Sequence, residues 1–132
     1  NDTVASLYHV KVIYGGKHME EISMNDEMEW LKIITAVGNA RSKYIEAIQE
    51  AKAGNYEACN ALVREGNESY AAGHRIHAEL ISKEAGGEKN EFSLLFMHAE
   101  DQLMSAETFK ILLHEFLDIC RRFDELERRI CS

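Results

Sequence analysis

Proline is absent from this 132-residue chain, and glycine occupies only eight positions. Average proline usage is about 5%, so collagen-like and low-complexity readings fail at once. No apolar run approaches the roughly 18 residues that a membrane span requires, so no membrane insertion is expected. Cysteine is scarce as well. Cys59, Cys120 and Cys131 form no CxxC pair and leave one odd thiol, which suits a reducing cytosol better than a disulfide scaffold. No charged-then-apolar leader is visible, and a cytoplasmic location is expected.

Basic residues are also in deficit. Fifteen Lys and Arg stand against 23 Asp and Glu, a formal charge of −8. The acids are scattered along the chain. Such a surface repels phosphate backbones, so nucleic acid is not an expected partner, whereas a basic protein face is. Several enzyme signatures are missing. No glutamate lies three residues before any histidine, which removes the ferritin-like di-iron pattern. His114-Glu115 lacks the second histidine of an HExxH zinc motif, and no phosphate-binding glycine loop occurs.

What remains is 45% apolar residues, ample for one hydrophobic core at this length. At the amino end Tyr8, Val10, Val12 and Tyr14 alternate with polar residues until Gly15-Gly16, the period of a strand. Residues 1–18 therefore read as an extension outside the domain, either an appended segment or a strand-like arm. The domain proper is expected over residues 19–132.

From residue 23 the apolar period becomes that of a helix. Ser23 with Asp26, or Asn25, offers a start signal. Trp30, Ile33, Ile34, Val37, Tyr44, Ile45 and Ile48 mark the first stripe, which ends at Ala53-Gly54. Asn55 can cap the second helix, with its stripe of Cys59, Leu62, Val63, Tyr70, Ile76, Leu80 and Ile81. Gly66 and Gly73 inside it each cost roughly 1 kcal/mol relative to alanine, and close approach of another helix is the expected reason. After Gly86-Gly87, Asn90 or Ser93 opens a third helix. Its stripe runs through Leu95, Leu103, Leu113, Phe116, Cys120, Phe123 and Ile130. Three long helices joined by two short turns predict an all-α, antiparallel up-down-up three-helix bundle.

The third helix is the informative one. Phe92, Leu94, Leu95, Phe96 and Met97 are apolar on nearly every side, more than one monomer can cover, so this helix is expected also to face another subunit. Into it the sequence places His98, Asp101, Gln102 and Ser105 at i, i+3, i+4 and i+7, on one face. A histidine one turn from an aspartate is also a common hydrogen-bonded pair with no chemistry. His74, His77 and His114 read as surface or packing residues.

The stretch His98-Ala99-Glu100-Asp101-Gln102-Leu103-Met104 resembles the active-site helix of the lactose/cellobiose-type IIA component of the phosphoenolpyruvate-dependent sugar phosphotransferase system, typically His-Ala-Gln-Asp-His-Leu-Met. Gly38-Asn39-Ala40-Arg41-Ser42 resembles the family's Gly-x-Ala-Arg-Ser, and Gly54-Asn55-Tyr56 its Gly-Asp-Phe turn. His74 falls in an Ala-His segment of helix two. Glu84-Ala85-Gly86-Gly87 and Ser93-Leu94 resemble the second turn and the entry to helix three. The similarity spans roughly residues 24–130.

The resemblance implies a homotrimer in which His98 accepts a phosphoryl group from the carrier protein HPr and passes it to a cysteine of the IIB component during uptake of a lactose-, cellobiose- or chitobiose-type disaccharide. It implies that Asp101 binds a divalent cation on the trimer axis, with oxygen ligands favouring Mg2+ in a structural role. Two positions depart from the motif. Glu100 replaces a glutamine, a change that is tolerated if the position faces solvent. Gln102 replaces the second histidine; its amide can donate hydrogen bonds to a phosphoryl oxygen but carries no positive charge. The alternative is a trimeric helical adaptor or regulator that keeps the fold without phosphotransfer.

Overall fold

The computed structural model describes residues 24–89 and 92–131. The expected extension over residues 1–18, the Ser23 start signal, the Asn25 side chain and the Asn90 alternative lie outside what is described. Three helices follow in order: α1 (Met24–Lys52), α2 (Tyr56–Ala85) and α3 (Leu94–Cys131).

Side-chain pairings give the directions. Tyr44 meets Gly66 and Val37 meets Gly73, so α2 runs antiparallel to α1. Tyr56 bonds to Asp124 while His77 meets Glu100, so α3 runs antiparallel to α2. Trp30 packs edge-on against Phe96 and Arg41 reaches Ser105, so α1 and α3 are parallel. The topology is the up-down-up bundle expected from the turn lengths.

The core repeats in threes and fours on all three helices. On α1 the buried positions are Trp30, Ile33, Val37, Ala40, Tyr44, Ala47 and Ala51; on α3 they are Ala99, Leu103, Ala106, Leu113 and Leu117. A 3-4 repeat is the signature of long helices crossing at a shallow angle. The middle element is α1, packed along both neighbours; α2 and α3 meet chiefly through long side chains. Lys110 Nζ stands 4.7 Å above the Tyr70 ring, and the Tyr56 hydroxyl donates to Asp124. That bond pushes the Tyr56 phenol up to about 12, with desolvation adding to it.

Both inter-helix turns use a left-handed glycine, Gly54 at φ 78° and Gly87 at φ 97°. Ser93 is the start of α3: its hydroxyl oxygen accepts the Phe96 backbone N–H at 3.1 Å. Asn55 precedes α2 but does not cap it. Its amide instead donates to Glu50 Oε2 at 2.8 Å, because the tight turn leaves the side chain beside the end of α1.

Several residues of the expected stripes are not core. Ile45, Ile81, Phe116, Phe123 and Ile130 are exposed. On α3 the cause is an outer apolar stripe turned away from α1. It runs through Leu94, Met97, Met104, Leu112, Ile119 and Leu126, with exposures from 42% at Leu112 to 85% at Leu94. Among the described residues no helix is long and apolar enough to cross a membrane.

Candidate functional site

His98 is exposed near the start of α3. Gln102 one turn on and Ser105 two turns on are both half-buried, and the helical repeat of 3.6 puts i, i+4 and i+7 on one face. Their side of α3 is fixed by a contact: Arg41 Nη1 donates to Ser105 Oγ at 3.3 Å. The polar face therefore borders α1, at the edge between the core and the outer stripe.

Arg41 reaches this edge because of how three consecutive residues are turned. Each step along a helix rotates the side chain by about 100°. Asn39 thus points to α2, where its amide donates to Ser69 Oγ at 2.7 Å; Ala40 is fully buried; Arg41 points to α3. In the sequence Arg41 stands only within the resemblance of Gly38–Ser42, which names no role for it. A signal was present: the positions one turn away, Val37, Gly38, Tyr44 and Ile45, contain no acid.

Glu100 is only partly in solvent, so the condition for a freely tolerated change is met in part. Two residues from His98, it is rotated by about 200° to the other side of α3. There Glu100 Oε1 lies 2.8 Å from His77 Nε2, with side chains 33% and 20% exposed. The approach is short enough for an ion pair but is not aligned as a hydrogen bond. His74 and Tyr70 continue this row on α2, with ring centroids 6.4 Å from His77 to His74 and 5.8 Å from His74 to Tyr70. Within one chain the α2 histidines and His98 therefore stand on different sides of α3.

Asp101 sits on the outer stripe, seven residues after Leu94 and eleven before Leu112, positions that share one helix face. A carboxylate amid exposed apolar residues would be costly to bury without neutralisation. No three His, Cys, Asp or Glu side chains among the described residues gather within the chain, so Asp101 offers a single carboxylate. That carboxylate is a hard oxygen donor, the type that Mg2+ takes.

Residues 28–121 match the family described as PTS system, Lactose/Cellobiose specific IIA subunit. The oligo-beta-mannoside-specific EIIA component of Bacillus subtilis (strain 168) is 40% identical over 103 residues, 78% of this chain and 94% of that protein. The lactose-specific EIIA component of Staphylococcus aureus (strain N315) is 37% identical over 91 residues, 69% of this chain and 88% of that one. The crystal structure of the PTS cellobiose specific enzyme IIA from Bacillus anthracis superposes with a TM-score of 0.72 at 38% identity, covering 74% of this chain and 90% of that chain.

Proposed function

Because the chain belongs to the lactose/cellobiose-specific IIA family of the phosphotransferase system, we propose that it carries a phosphoryl group on His98, received from phospho-HPr and delivered to a cysteine of a IIB component. The family makes it a phosphotransferase component of the sugar-uptake class. His98 is the histidine of the matched motif, and its exposure on α3 leaves it open to both partners.

The chemistry asks little of the protein beyond a nucleophile and its surroundings. The lone pair of the neutral His98 imidazole forms a new N–P bond as the donor's N–P bond breaks. The electron pair of the broken bond returns to the donor imidazole. In the second step a IIB thiolate attacks the same phosphorus; an S–P bond forms and the His98 nitrogen recovers its pair. Positioning and charge stabilisation are then the remaining tasks. Gln102, half-buried one turn from His98, can donate its amide N–H to a phosphoryl oxygen. We place the acceptor in the cytoplasm, the reducing compartment that its free cysteines suit.

Assembly follows from the outer stripe of α3. Three chains that pack these stripes together bury the exposed apolar residues and bring three Asp101 carboxylates to one axis. A divalent cation such as Mg2+, held by Asp101 from each chain, would neutralise their mutual repulsion and hold the assembly together.

The observation that carries this reading is the exposed His98 beside half-buried Gln102 and Ser105. Incubation with phosphoenolpyruvate, enzyme I and HPr, followed by intact mass, tests it. A phosphate's added mass that is lost in mild acid is the expected result. A chain that accepts nothing is the adaptor instead.

A further inference from the structure

We infer that Arg41 supplies the positive charge that receives the phosphoryl group on His98, an inference that rests on the carrier reading above. The first ground is an unmatched cation. Arg41 is half-buried, and its hydrogen bond is a long one, 3.3 Å, to the neutral Ser105 hydroxyl. Among the described residues no carboxylate pairs with it, in a chain where acids outnumber bases by 23 to 15. Lys43, two residues on, shows the ordinary alternative, lying 2.9 Å from Glu65 and 3.8 Å from Glu46. A guanidinium carries five N–H donors in a planar fork that matches phosphate oxygens two at a time. Held against one hydroxyl, Arg41 keeps most of that capacity unused.

The second ground is place. Ser105 stands two turns from His98 on one face of α3, about 10 Å along the axis, with Gln102 between them. A phosphoryl group on His98 would stand on that same face of α3, toward the edge that Arg41 borders. The third ground is charge. The position one turn after His98 holds a neutral amide, and Asp101 adds a negative charge nearby. The other base of this stretch of α3, Lys110, is turned to the Tyr70 ring on the α2 side. Arg41 is thus the cation that α1 brings to this face. It would stabilise charge on the transferring oxygens without taking part in bond making, as arginine does in other phosphoryl transfers.

The test compares the parent with Arg41→Gln and Arg41→Lys in time-resolved phosphoryl acceptance from phospho-HPr, beside circular dichroism and thermal melts. Arg41→Gln should lower the maximal rate on the order of 10²-fold, the usual loss for one charge-stabilising donor, with the HPr concentration for half-maximal rate nearly unchanged. Arg41→Lys should recover part of that loss. In the parent, the Arg41 Nε–H resonance should move when His98 is phosphorylated, a readout that needs no variant to fold. A parent that accepts phosphate, with Arg41→Gln matching its rate and only its melting temperature lowered, makes Arg41 a structural tie and overturns the inference alone. An Nε–H resonance indifferent to phosphorylation overturns it equally. A parent that accepts no phosphate overturns the carrier reading and this inference with it.

Discussion

The ring of Tyr44 occupies the space that a side chain on Gly66 would need: a β-carbon there would stand 2.6 Å from Tyr44 Cε1. Tyr44 cannot easily give way. It is fully buried, and its hydroxyl donates to Asn67 Oδ1 at 2.9 Å. Gly66→Ala would gain roughly 1 kcal/mol of helix propensity but meet an overpacking cost of about 1–3 kcal/mol. We expect net destabilisation. Gly73→Ala should behave alike, since its β-carbon would meet Val37 Cγ1 at 2.7 Å. Urea unfolding of both variants checks this, and a midpoint above the parent's would contradict it.

Alkaline stability should depend on Tyr56. Its phenol is raised from the ordinary 10 to about 12, first by donating to Asp124 and then by desolvation. A raised pKa means that the folded state holds the proton more tightly than the unfolded one. The contribution is therefore whole below pH 10 and lost as pH climbs through about 12. Tyr44, raised to about 12 by burial, adds a loss in the same window. Tyr56→Phe should flatten part of the decline in melting temperature between these pH values. An unchanged slope would show that the bond to Asp124 does not form.

Replacing His98 with alanine should abolish phosphate acceptance and leave helicity intact, because the residue is exposed on α3. Intact mass after incubation with phospho-HPr reads the first effect and circular dichroism the second. If the variant is still phosphorylated, His74 becomes the next histidine to replace.

If the proposed trimer forms around Asp101, Asp101→Leu should keep that assembly and become indifferent to a chelator. The threefold symmetry of the proposed assembly would change every copy at once, exchanging three mutually repelling carboxylates for apolar contact. Replacing a whole buried ionic set by packed apolar groups is often neutral or stabilising, unlike removing one member. The parent should lose thermal stability in EDTA. Phosphate acceptance at His98 should largely survive the substitution. Sedimentation and melts with and without EDTA test the pair; leucine variants that fall to monomers, or a parent that ignores EDTA, would sink the axial-ligand role.

Much of the fold follows from periodicity. A 3.6-residue repeat with buried positions three and four apart identifies α1, α2 and α3, and left-handed glycines at Gly54 and Gly87 end the turns between them. Gly66 and Gly73 were readable too, since a glycine within a helix is retained where another helix comes close. His98, Asp101 and Gln102 share one stretch of helix, so their spacing alone placed them near one another. All of these depend on forces acting within a few residues of chain.

Tertiary structure decided what stands opposite each side chain. Arg41 on Ser105 joins residues 64 apart, and Tyr56 on Asp124 joins residues 68 apart. Glu100 meets His77 across the helix pair, which no spacing within α3 shows; Asn55 can cap α2 by its place in the sequence but bonds to Glu50. The outer stripe of α3 is as apolar in sequence as the core stripe, yet only the latter is covered by α1. Sequence period specifies the direction in which a side chain leaves its helix. Its partner depends on how neighbouring helices are rotated and offset, a choice made by the sum of many weak packing contacts across the whole bundle.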